Sequence, residues 1–447
     1  PQEEQIIDKC DWGYMYHQLF TKIREEIAGY RMNRRLRQVI TLGAVLLLLT
    51  GCMETSPLPT QESEIIVLWH TLNGPERTAL EALGDRFNAA HRAGPTLILE
   101  YQDEIAEKMD LLPGEQQPDL VITGPDTVPQ FREKTTPIPL PSALRRDLLP
   151  MAEALYNGQE KLYALPFGLN TNVLYYNQDW VRELGYTAES ATATDLLNTA
   201  CAATSMESGQ VGLGIPAQAD VLLSFLATGG DPLVGAEERY LLEHPGTVAA
   251  ANIGHDLLSQ GCGRIYEFLD SSIDQFGDSA LALLIAPSRR EPEIVESVLN
   301  GWNFTLGVAG LPPVGEESGT VWRGPAILLF ASDAPHYEAA LEVALWMVSP
   351  EAQRVWFEQT HYLPVRRSLV ETWQAEEGLR ASEKQLLALT LTAAEQETWT
   401  AWRPVGGVPA CRAALVRTLF DLNTDQKVTE VLMNAQQACE RAIEELP

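Results

Sequence analysis

Four residues that could contact a small polar molecule lie where two predicted strands end. Trp69 and His70 close the apolar run 65–70, while Thr123 and Gly124 end the run that begins at Leu120. An indole face packs against apolar C–H groups, and hydroxyl and imidazole groups hydrogen-bond to polar atoms, so this set suits a small polar solute. The alternative is structural, because Trp69 also suits core packing and His70 also suits a hydrogen-bonded scaffold role.

The sequence lacks the motifs of common hydrolases and metalloenzymes. It contains no His-Glu-x-x-His, no Gly-x-Ser-x-Gly and no glycine-rich phosphate loop, and its seven histidines are scattered without metal-ligand spacing. We therefore predict no metal, no other cofactor and no enzyme activity. With 61 acidic residues, an exported glycoside hydrolase that uses two carboxylates is the alternative.

Cys52 lies at a position where a lipid could be attached. It follows Leu49-Thr50-Gly51, which ends the apolar run 39–50, and a basic stretch that begins at Met32 precedes this run. The run is too short to span a bilayer, which takes about 20 residues, but it suits the core of a secretory signal. The predicted segments are a non-native upstream piece (1–31), a lipoprotein signal peptide (32–51) and a tether (52–64). A buried helix that ends in Gly-Cys is the alternative.

The four cysteines beyond the tether fit an exported chain. Cys201, Cys262, Cys411 and Cys439 allow three pairings, and their order along the chain favours Cys201–Cys262 and Cys411–Cys439. Cys439 lies on the apolar stripe of a predicted helix and therefore points inward. Four buried free thiols are the alternative.

The composition is that of a globular chain of two to three domains. Of the 447 residues, 45% are hydrophobic and 21% are charged, which excludes a disordered chain or a coiled-coil rod. The formal net charge of -29 repels phosphate backbones, so we expect no nucleic-acid partner.

Strand and helix patterns alternate after residue 64. Apolar runs at 65–70, 96–101 and 120–123 predict strands, and helical spacing of apolar residues over 75–91 and 105–112 predicts helices between them. The alternation predicts an α/β fold with a parallel, doubly wound sheet. Ligands of such sheets bind beyond the carboxyl ends of the strands, where the four residues named first would lie.

Local signals also predict several helix ends. Gly185 suits the left-handed position after a helix. Thr192 and Asp195 resemble a capping box, and Ser349 followed by Pro350 resembles an N-cap and the first residue of a helix.

Seven short motifs occur in a characteristic order from Ile65 almost to the C-terminus. They are Ile66-Val67-Leu68-Trp69-His70, Gln117-Pro118-Asp119-Leu120-Val121, Leu165-Pro166-Phe167, Val173-Leu174-Tyr175-Tyr176-Asn177-Gln178-Asp179, Gly307-Val308-Ala309-Gly310-Leu311-Pro312-Pro313, Ser349-Pro350-Glu351-Ala352-Gln353 and His361-Tyr362-Leu363-Pro364-Val365-Arg366. In this order the chain resembles the extracellular solute-binding proteins of ABC importers. Within them it is most similar to the carbohydrate group that includes maltose- and glycerol-3-phosphate-binding proteins.

The resemblance implies a two-lobe periplasmic-binding-protein fold (Venus flytrap) with a ligand cleft between two α/β lobes. Lobe 1 would comprise 65–165 plus 287–330, and lobe 2 would comprise 166–286 plus 331–447. The lobes would rotate as rigid bodies about hinges near Phe167-Gly168, Ala286 and Ala331.

The resemblance also implies further ligand contacts. They are Asn172 near the first hinge, Trp302, Trp322 and Arg323 on segments that return to lobe 1, and Tyr362 before Leu363-Pro364. Each also has a structural alternative: core packing for the aromatic residues, a turn for Asn172 and an ion pair with a carboxylate for Arg323.

The implied function is capture of a carbohydrate or related polyol and its delivery to an ABC permease in the membrane. The protein would act as a monomer outside the cytoplasm, held at the cell membrane by its N-terminal lipid, and a sensory ligand-binding subunit is an alternative. Two segments depart from the family pattern, Trp322-Arg323-Gly324-Pro325 and 277–283. The solute therefore stays open among monosaccharide, oligosaccharide, polyol and phosphodiester.

Overall fold

The computed structural model describes residues 64–158, 161–187, 191–235, 239–315, 319–330, 336–396, 399–401 and 409–444. The predicted upstream segment, the signal peptide, Cys52, the tether up to residue 63 and Ala331 lie outside these residues.

The described residues form an α/β chain whose elements alternate as the sequence predicts. The strands are β1 (Ile65–His70), β2 (Thr96–Tyr101), β3 (Leu120–Thr123), β4 (Asn157–Gly158), β5 (Lys161–Leu162), β6 (Leu165–Pro166), β7 (Asn170–Asn177), β8 (Val211–Pro216), β9 (Gly263–Tyr266), β10 (Leu281–Pro287), β11 (Leu306–Ala309), β12 (Val321–Arg323), β13 (Ala326–Leu329) and β14 (Thr400–Ala401). The helices are α1 (Gly74–Ala90), α2 (Ile105–Leu111), α3 (Ser142–Asp147), α4 (Pro150–Leu155), α5 (Gln178–Glu183), α6 (Ala193–Ala203), α7 (Ala219–Ala227), α8 (Pro245–Ser259), α9 (Leu269–Gly277), α10 (Glu291–Asn300), α11 (Tyr337–Met347), α12 (Pro350–Thr360), α13 (Arg367–Gln374), α14 (Ala381–Gln396), α15 (Pro409–Asp421) and α16 (Val428–Glu444).

The first sheet has the strand order β2-β1-β3-β13-β6. Its first three strands are parallel, as predicted, and β13 and β6 extend it with antiparallel pairings. Helix α1 turns Leu80, Leu83 and Phe87 into the core. Helix α11 packs on the outer part of α1, where the rings of Phe87 and Trp346 meet edge to face at 5.5 Å.

The second sheet has the strand order β14-β12-β7-β10-β8-β9 and is built around β7. All eight residues of β7 are buried. One edge of β7 pairs with β10, and the other edge is shared by two short strands, β12 at its start and β11 at its end. Strands β10, β8 and β9 are parallel to one another, so this sheet is mixed rather than wholly parallel.

Strand pairing differs from the predicted lobe boundaries in two segments. The sequence places 287–330 in lobe 1, but β11 and β12 pair with β7 of the second sheet, and of these strands only β13 joins the first. The sequence places 331–447 in lobe 2, but α11 and α12 pack on α1. The physical reason is that β7 is long enough to pair with two strands of four residues or fewer, whose own sequences do not specify a partner.

Two neighbouring segments carry the chain between the two sheets, and the chain passes between the sheets again after β13, since β14 pairs with β12. Residues 167–169 connect β6 to β7, and residues 324–325 connect β12 to β13. These segments touch: Phe167 N donates to Pro325 O at 2.9 Å, and a Cβ on Gly324 would lie 1.8 Å from Gly168 O. The predicted hinge at Phe167-Gly168 is thus a crossing, whereas Ala286 lies inside β10 with a strand on either side.

Two disulfides confirm the predicted pairing. Cys201 of α6 is bonded to Cys262, which precedes β9, and Cys411 of α15 is bonded to Cys439 of α16. The first bond joins α6, which packs on β8, to the start of β9, and the second joins α15 and α16, which pack on α7 and α8.

The predicted helix ends are also confirmed. Thr192 and Asp195 form a reciprocal capping box at the start of α6, and Ser349 caps α12 with Pro350 as its first residue. Gly185 follows α5 with a positive φ of 79°. None of the helices in the described part of the chain combines the length and apolarity that crossing a bilayer requires.

Replacing Gly324 should destabilise the protein, because any side chain there collides with the backbone of the other crossing segment. We expect Gly324→Ala to lower the free energy of unfolding by about 2 kcal/mol, the usual scale of forced overpacking. Chemical denaturation measures the change. Gly310→Ala is the matched control, since a Cβ there meets only Leu389 at 3.8 Å, and equal stability of the two variants would contradict the proposed clash.

Candidate functional site

Trp69 is buried within the first sheet. Its neighbour on β2 is Glu100, and its indole Nε1 donates to Glu100 Oε2 at 2.8 Å. The indole ring is buried and its N–H group already has a hydrogen-bond partner, so the packing favours a structural role for Trp69 over ligand contact.

His70 lies at the carboxyl end of β1 and is buried as well. Its ring meets Tyr101 edge-on at 5.8 Å, and its Nδ1 has no hydrogen-bond partner among the described residues. Burial, followed by the charge of Arg77, lowers the pKa of His70. The imidazole is therefore neutral at neutral pH, and in that form one ring nitrogen donates and the other accepts.

Thr123 and Gly124 lie beside His70 at the same sheet edge. The hydroxyls of Thr123 and Thr71 are 3.1 Å apart and connect the ends of β3 and β1. Gly124 opens the turn that carries Asp126, and the carboxylate of Asp126 forms an ion pair with Arg412 of α15. This pair joins the edge of the first sheet to a helix that packs on the second-sheet side.

Asn172 and Arg323 meet at the carboxylate of Asp220, in the first turn of α7. Asp220 Oδ2 lies 2.8 Å from Arg323 Nη2 and 3.2 Å from Asn172 Nδ2, and Asn172 Nδ2 also donates to Ser224 Oγ at 3.0 Å. Because an ionised carboxylate only accepts hydrogen bonds, the Asn172 amide nitrogen must face it and Oδ1 must face elsewhere. That oxygen is buried and has no partner among the described residues.

Arg289 lies between a carboxylate and an aromatic ring. Its Nη1 is 3.2 Å from Glu76 Oε1 of α1, and its guanidinium lies 5.7 Å from the centre of the Tyr362 ring. Asn170 Oδ1 accepts from the backbone N of Arg289 at 3.1 Å, which anchors the turn after β10 to the start of β7. Arg289 thus connects α1 of the first sheet to the second sheet.

Tyr362 packs on Trp356, with ring centres 5.8 Å apart and an interplanar angle of 19°. Burial raises the pKa of Tyr362, Arg289 opposes this shift, and Glu76 and Arg323 act on the same hydroxyl. The Tyr362 hydroxyl is therefore a point on which charges from three other segments act. A Cβ on Gly168 would lie 2.8 Å from Tyr362 Cβ, so this point adjoins the crossing segments.

The two remaining predicted tryptophans do not present a ring to this point. Trp322 is fully buried and pairs with Thr171 through the backbone, and its Nε1 has no partner among the described residues. Trp302 is 74% exposed and lies beyond the other end of β7, since Leu306 pairs with Asn177. At roughly 3.3 Å per residue, that end is about 20 Å from Asn170, so Trp302 does not join the other predicted residues.

The polar contacts found here are three arginine–carboxylate pairs, with Asn172 at one carboxylate and Tyr362 at one guanidinium. We call them the cleft cluster: Glu76, Asp126, Asn172, Asp220, Arg289, Arg323, Tyr362 and Arg412. Five of the eight were missed in the sequence: Glu76, Asp126, Asp220, Arg289 and Arg412. The single signal for any of them is Asp220, the one charged residue in the otherwise apolar helix α7.

A separate cavity of about 530 Å³ lies between β11, the start of α6 and α14. Tyr176, Val308 and Leu389 are among its lining residues. It contains none of the predicted site residues, so the cleft cluster is the better candidate.

The model of the family described as bacterial extracellular solute-binding protein matches residues 82–381, which are 300 of the 447 residues. The chain belongs to this family. The match spans β3, β7, β10 and β12, which contribute or precede most of the cleft cluster.

Individual relatives of this solute-binding protein are distant. It is 22% identical over 326 residues to the maltotriose-binding protein of Pyrococcus abyssi (strain GE5 / Orsay), an alignment that covers 68% of each chain. The structure is similar to that of a cyclic alpha-maltosyl-1,6-maltose binding protein from Arthrobacter globiformis, with a TM-score of 0.69 and 16% identity over 86% of this chain and 100% of the other. It is also similar to UgpB from Mycobacterium tuberculosis in complex with glycerophosphocholine, with a TM-score of 0.63 and 18% identity over 86% of this chain and 99% of the other. The predicted two-lobe periplasmic-binding-protein fold is confirmed.

An ion network that includes His361, the residue before Tyr362, contains two buried carboxylates and a partly exposed arginine in this solute-binding protein. Glu291, His361 and Glu383 hold ligand atoms within 4.8 Å of one another, the kind of grouping that can bind a metal. However, Arg380 donates to both carboxylates, to Glu291 at 2.9 and 2.6 Å and to Glu383 at 2.7 Å. A divalent cation would have to displace this guanidinium, so we interpret the network as structural.

Acidification should destabilise the solute-binding protein through His361. Burial lowers the pKa of His361, so the folded state binds the proton less tightly than the unfolded state, and stability falls as the pH drops below the ordinary value of 6.5. Burial raises the pKa of Glu383, which acts in the opposite direction. We expect the free energy of unfolding to fall less between about pH 7.5 and about pH 5.5 in His361→Asn than in the parent.

The local backbone conformation tolerates asparagine at position 361, because His361 has a φ of 56° and asparagine adopts this left-handed region readily. Urea denaturation at both pH values gives the difference. A parental profile in His361→Asn would contradict the assignment.

Proposed function

We propose that this protein captures a carbohydrate or related polyol outside the cytoplasm and delivers it unchanged to an ABC permease. The observation that carries the proposal is the cleft cluster, in which polar groups from both sheets converge beside the two crossing segments. The sugar-binding relatives support this class of solute. The glycerophosphocholine complex of UgpB supports a related class, polar and of similar size.

The chemistry of the cleft cluster suits hydroxyl groups. A hydroxyl both donates and accepts, Asn172 Oδ1 is a buried acceptor, and a guanidinium carries five donors, so one diol can use both kinds of partner. The aromatic faces predicted to stack on a sugar are largely occupied in this structure, by Trp356 and Arg289 at Tyr362. Recognition therefore depends mainly on hydrogen bonds.

Lobe closure is the proposed transport signal. A solute held between elements of both sheets stabilises the closed form only by its extra affinity for that form, and reversing a one-to-99 population takes about 5.5 kcal/mol. The crossing segments around Gly168 and Gly324 are the proposed hinges, since there the backbones meet without side chains between them.

A binding role fits the carboxylates of the cleft cluster better than a glycosidase role. A glycosidase needs one carboxyl group that gives a proton to the leaving group. Glu76, Asp126 and Asp220 each form an ion pair with an arginine instead. The guanidinium thus occupies the position beside each carboxylate that a leaving group would need.

We further propose that the signal peptide 32–51 is cleaved and that Cys52 carries the lipid anchor. The extracytoplasmic location implied by the family supports this, and two disulfides agree with an oxidising compartment. The anchor would keep a monomeric binding protein close to its permease.

The function predicts binding without turnover. Maltotriose, glucose and glycerophosphocholine should be titrated by calorimetry, and at least one should bind, be recovered unchanged and reduce the radius of gyration in solution scattering. Arg323→Gln should weaken that binding by about tenfold or more, since it removes a charged donor. Arg182→Gln, at a 70% exposed arginine paired with Asp179 on α5, is the control. Cleavage of a glycoside, or binding without compaction, would refute the proposal.

The anchor predicts a lipid-dependent membrane association. Expression in a bacterial host from Met32 should give a protein that partitions into detergent, and Cys52→Ala should remain uncleaved and lose its label from radioactive fatty acid. Ser56→Ala is the matched control, because Ser56 lies in the predicted tether beyond Cys52 and its loss should not affect labelling. Equal labelling of Cys52→Ala and the parent would exclude the lipid site.

A further inference from the structure

Each arginine of the cleft cluster is paired with its own carboxylate. The three pairs are Arg323–Asp220, Arg289–Glu76 and Arg412–Asp126. Unpaired arginines in a cleft are the usual means of binding phosphate or carboxylate groups. Here the three charges are cancelled in place, so the cluster has no net charge of its own.

The Asp220 pair is the more deeply buried of the two pairs nearest Tyr362. The side chains of Arg323 and Asp220 are 19% and 8% exposed. Asp220 Oδ2 is bonded to Arg323 and to Asn172, so it cannot turn away without giving up both contacts. An anion that approached Arg323 would lie within a few ångströms of this carboxylate, where water screens the repulsion poorly.

The Glu76 pair is different because it joins the two sheets. Glu76 belongs to α1 of the first sheet, and Arg289 follows β10 of the second. The Tyr362 ring lies against the same guanidinium. An anion bound to Arg289 would compete with Glu76 and would break a contact between the sheets, so it would oppose lobe closure as well as binding.

We propose that Asp220 and Glu76 are specificity determinants that exclude anionic solutes, such as acidic sugars and sugar phosphates, from the cleft. This inference rests on the proposed function of the cleft as the solute site. A carboxylate cancels the charge of its arginine without using all five N–H donors of the guanidinium. A neutral polyhydroxylated solute can therefore still accept hydrogen bonds from the arginine, whereas an anionic solute is repelled by the carboxylate. The formal net charge of -29 acts in the same direction over longer distances.

The first test uses inorganic sulfate as an anion probe, in calorimetry and thermal-shift assays at constant ionic strength. The parent should show no saturable sulfate binding. Asp220→Asn and Glu76→Gln keep the shape of each side chain and remove the negative charge opposite the guanidinium. Each should bind sulfate at least about tenfold more tightly than the parent, on the scale expected when a close like charge is removed. Adding Arg323→Gln to Asp220→Asn should abolish the gain.

Asp147→Asn is the matched control. Asp147 pairs with Arg366 at 2.7 Å, with side-chain exposures of 16% and 21%, and it also accepts from Ser368 rather than from the cleft cluster. It should lose comparable stability and gain no sulfate affinity. If Asp220→Asn does not fold, Glu76→Gln allows the same measurement at a more exposed pair. In that pair the side chain of Glu76 is 19% exposed and that of Arg289 is 32% exposed.

The second test compares matched solutes, glucose with glucuronate and glycerol with glycerol 3-phosphate. In Asp220→Asn and Glu76→Gln, the ratio of the affinity for the neutral solute to the affinity for its anionic counterpart should fall by about tenfold or more. In Asp147→Asn this ratio should stay unchanged. Tight binding of sulfate or glucuronate by the parent would overturn the inference. So would variants that keep the parental ratio of neutral to anionic affinity and gain no affinity for sulfate. If no sugar binds but the two variants still gain sulfate affinity, the sugar-binding proposal is overturned and the exclusion of anions by Asp220 and Glu76 is retained.

Discussion

A guanidinium between two layers of protein is stable only when a carboxylate accompanies it, because desolvation of an unpaired charge costs several kcal/mol. The architecture around the crossing segments follows from this constraint. Arg323 extends from a short strand toward α7, and Arg289 extends from the turn after β10 toward α1. Each pairing fixes the relative position of two elements, and the Arg289 and Arg412 pairs do so between the first sheet and elements on the second-sheet side.

The two crossing segments complement these pairs. Glycine at 324 lets two backbones approach to a separation that any side chain would prevent, and glycine at 168 leaves room for the side chains of Trp356 and Tyr362. Tyr156, at the end of α4, donates its hydroxyl to Gly324 O. Backbone contact at the crossings and ion pairs between the sheets have different physical properties. Backbone contact hardly depends on solvent, whereas a partly exposed ion pair weakens as salt is added. Backbone packing therefore sets the position of the proposed hinges, while the ion pairs respond to salt and to charged solutes.

Local patterns in the sequence were sufficient for much of the fold. The alternation of β1, α1, β2, α2 and β3, the capping box at Thr192 and both disulfides follow from periodicity, cap chemistry and cysteine order. Sheet membership did not follow, because β11 and β12 are short and their partner β7 lies more than 100 residues away in sequence. Periodicity describes which face of an element is apolar, and it says nothing about which distant element covers that face.

The site was harder to predict for the same reason. His70, Thr123, Asn172, Arg323 and Tyr362 were predicted from strand ends and family resemblance. Their ionic partners are far apart in sequence, since 213 residues separate Arg289 from Glu76 and 286 separate Arg412 from Asp126. The chain contains 61 acidic residues, and the sequence alone does not distinguish those on the surface from those that are buried. Trp69 shows the opposite problem, because a tryptophan at a strand end looks available until Glu100 on the neighbouring strand takes its N–H group.

Both disulfides belong to one side of the molecule, and this asymmetry affects how the protein loses its structure. Cys201–Cys262 and Cys411–Cys439 restrict the unfolded ensemble of the second-sheet elements, whereas the described elements of the first sheet depend on noncovalent packing alone. Cooperative units of unequal stability open in sequence rather than together. Melting under oxidising conditions should thus proceed through an intermediate in which the first sheet has opened, and reductant should merge the two transitions by weakening the cross-linked half.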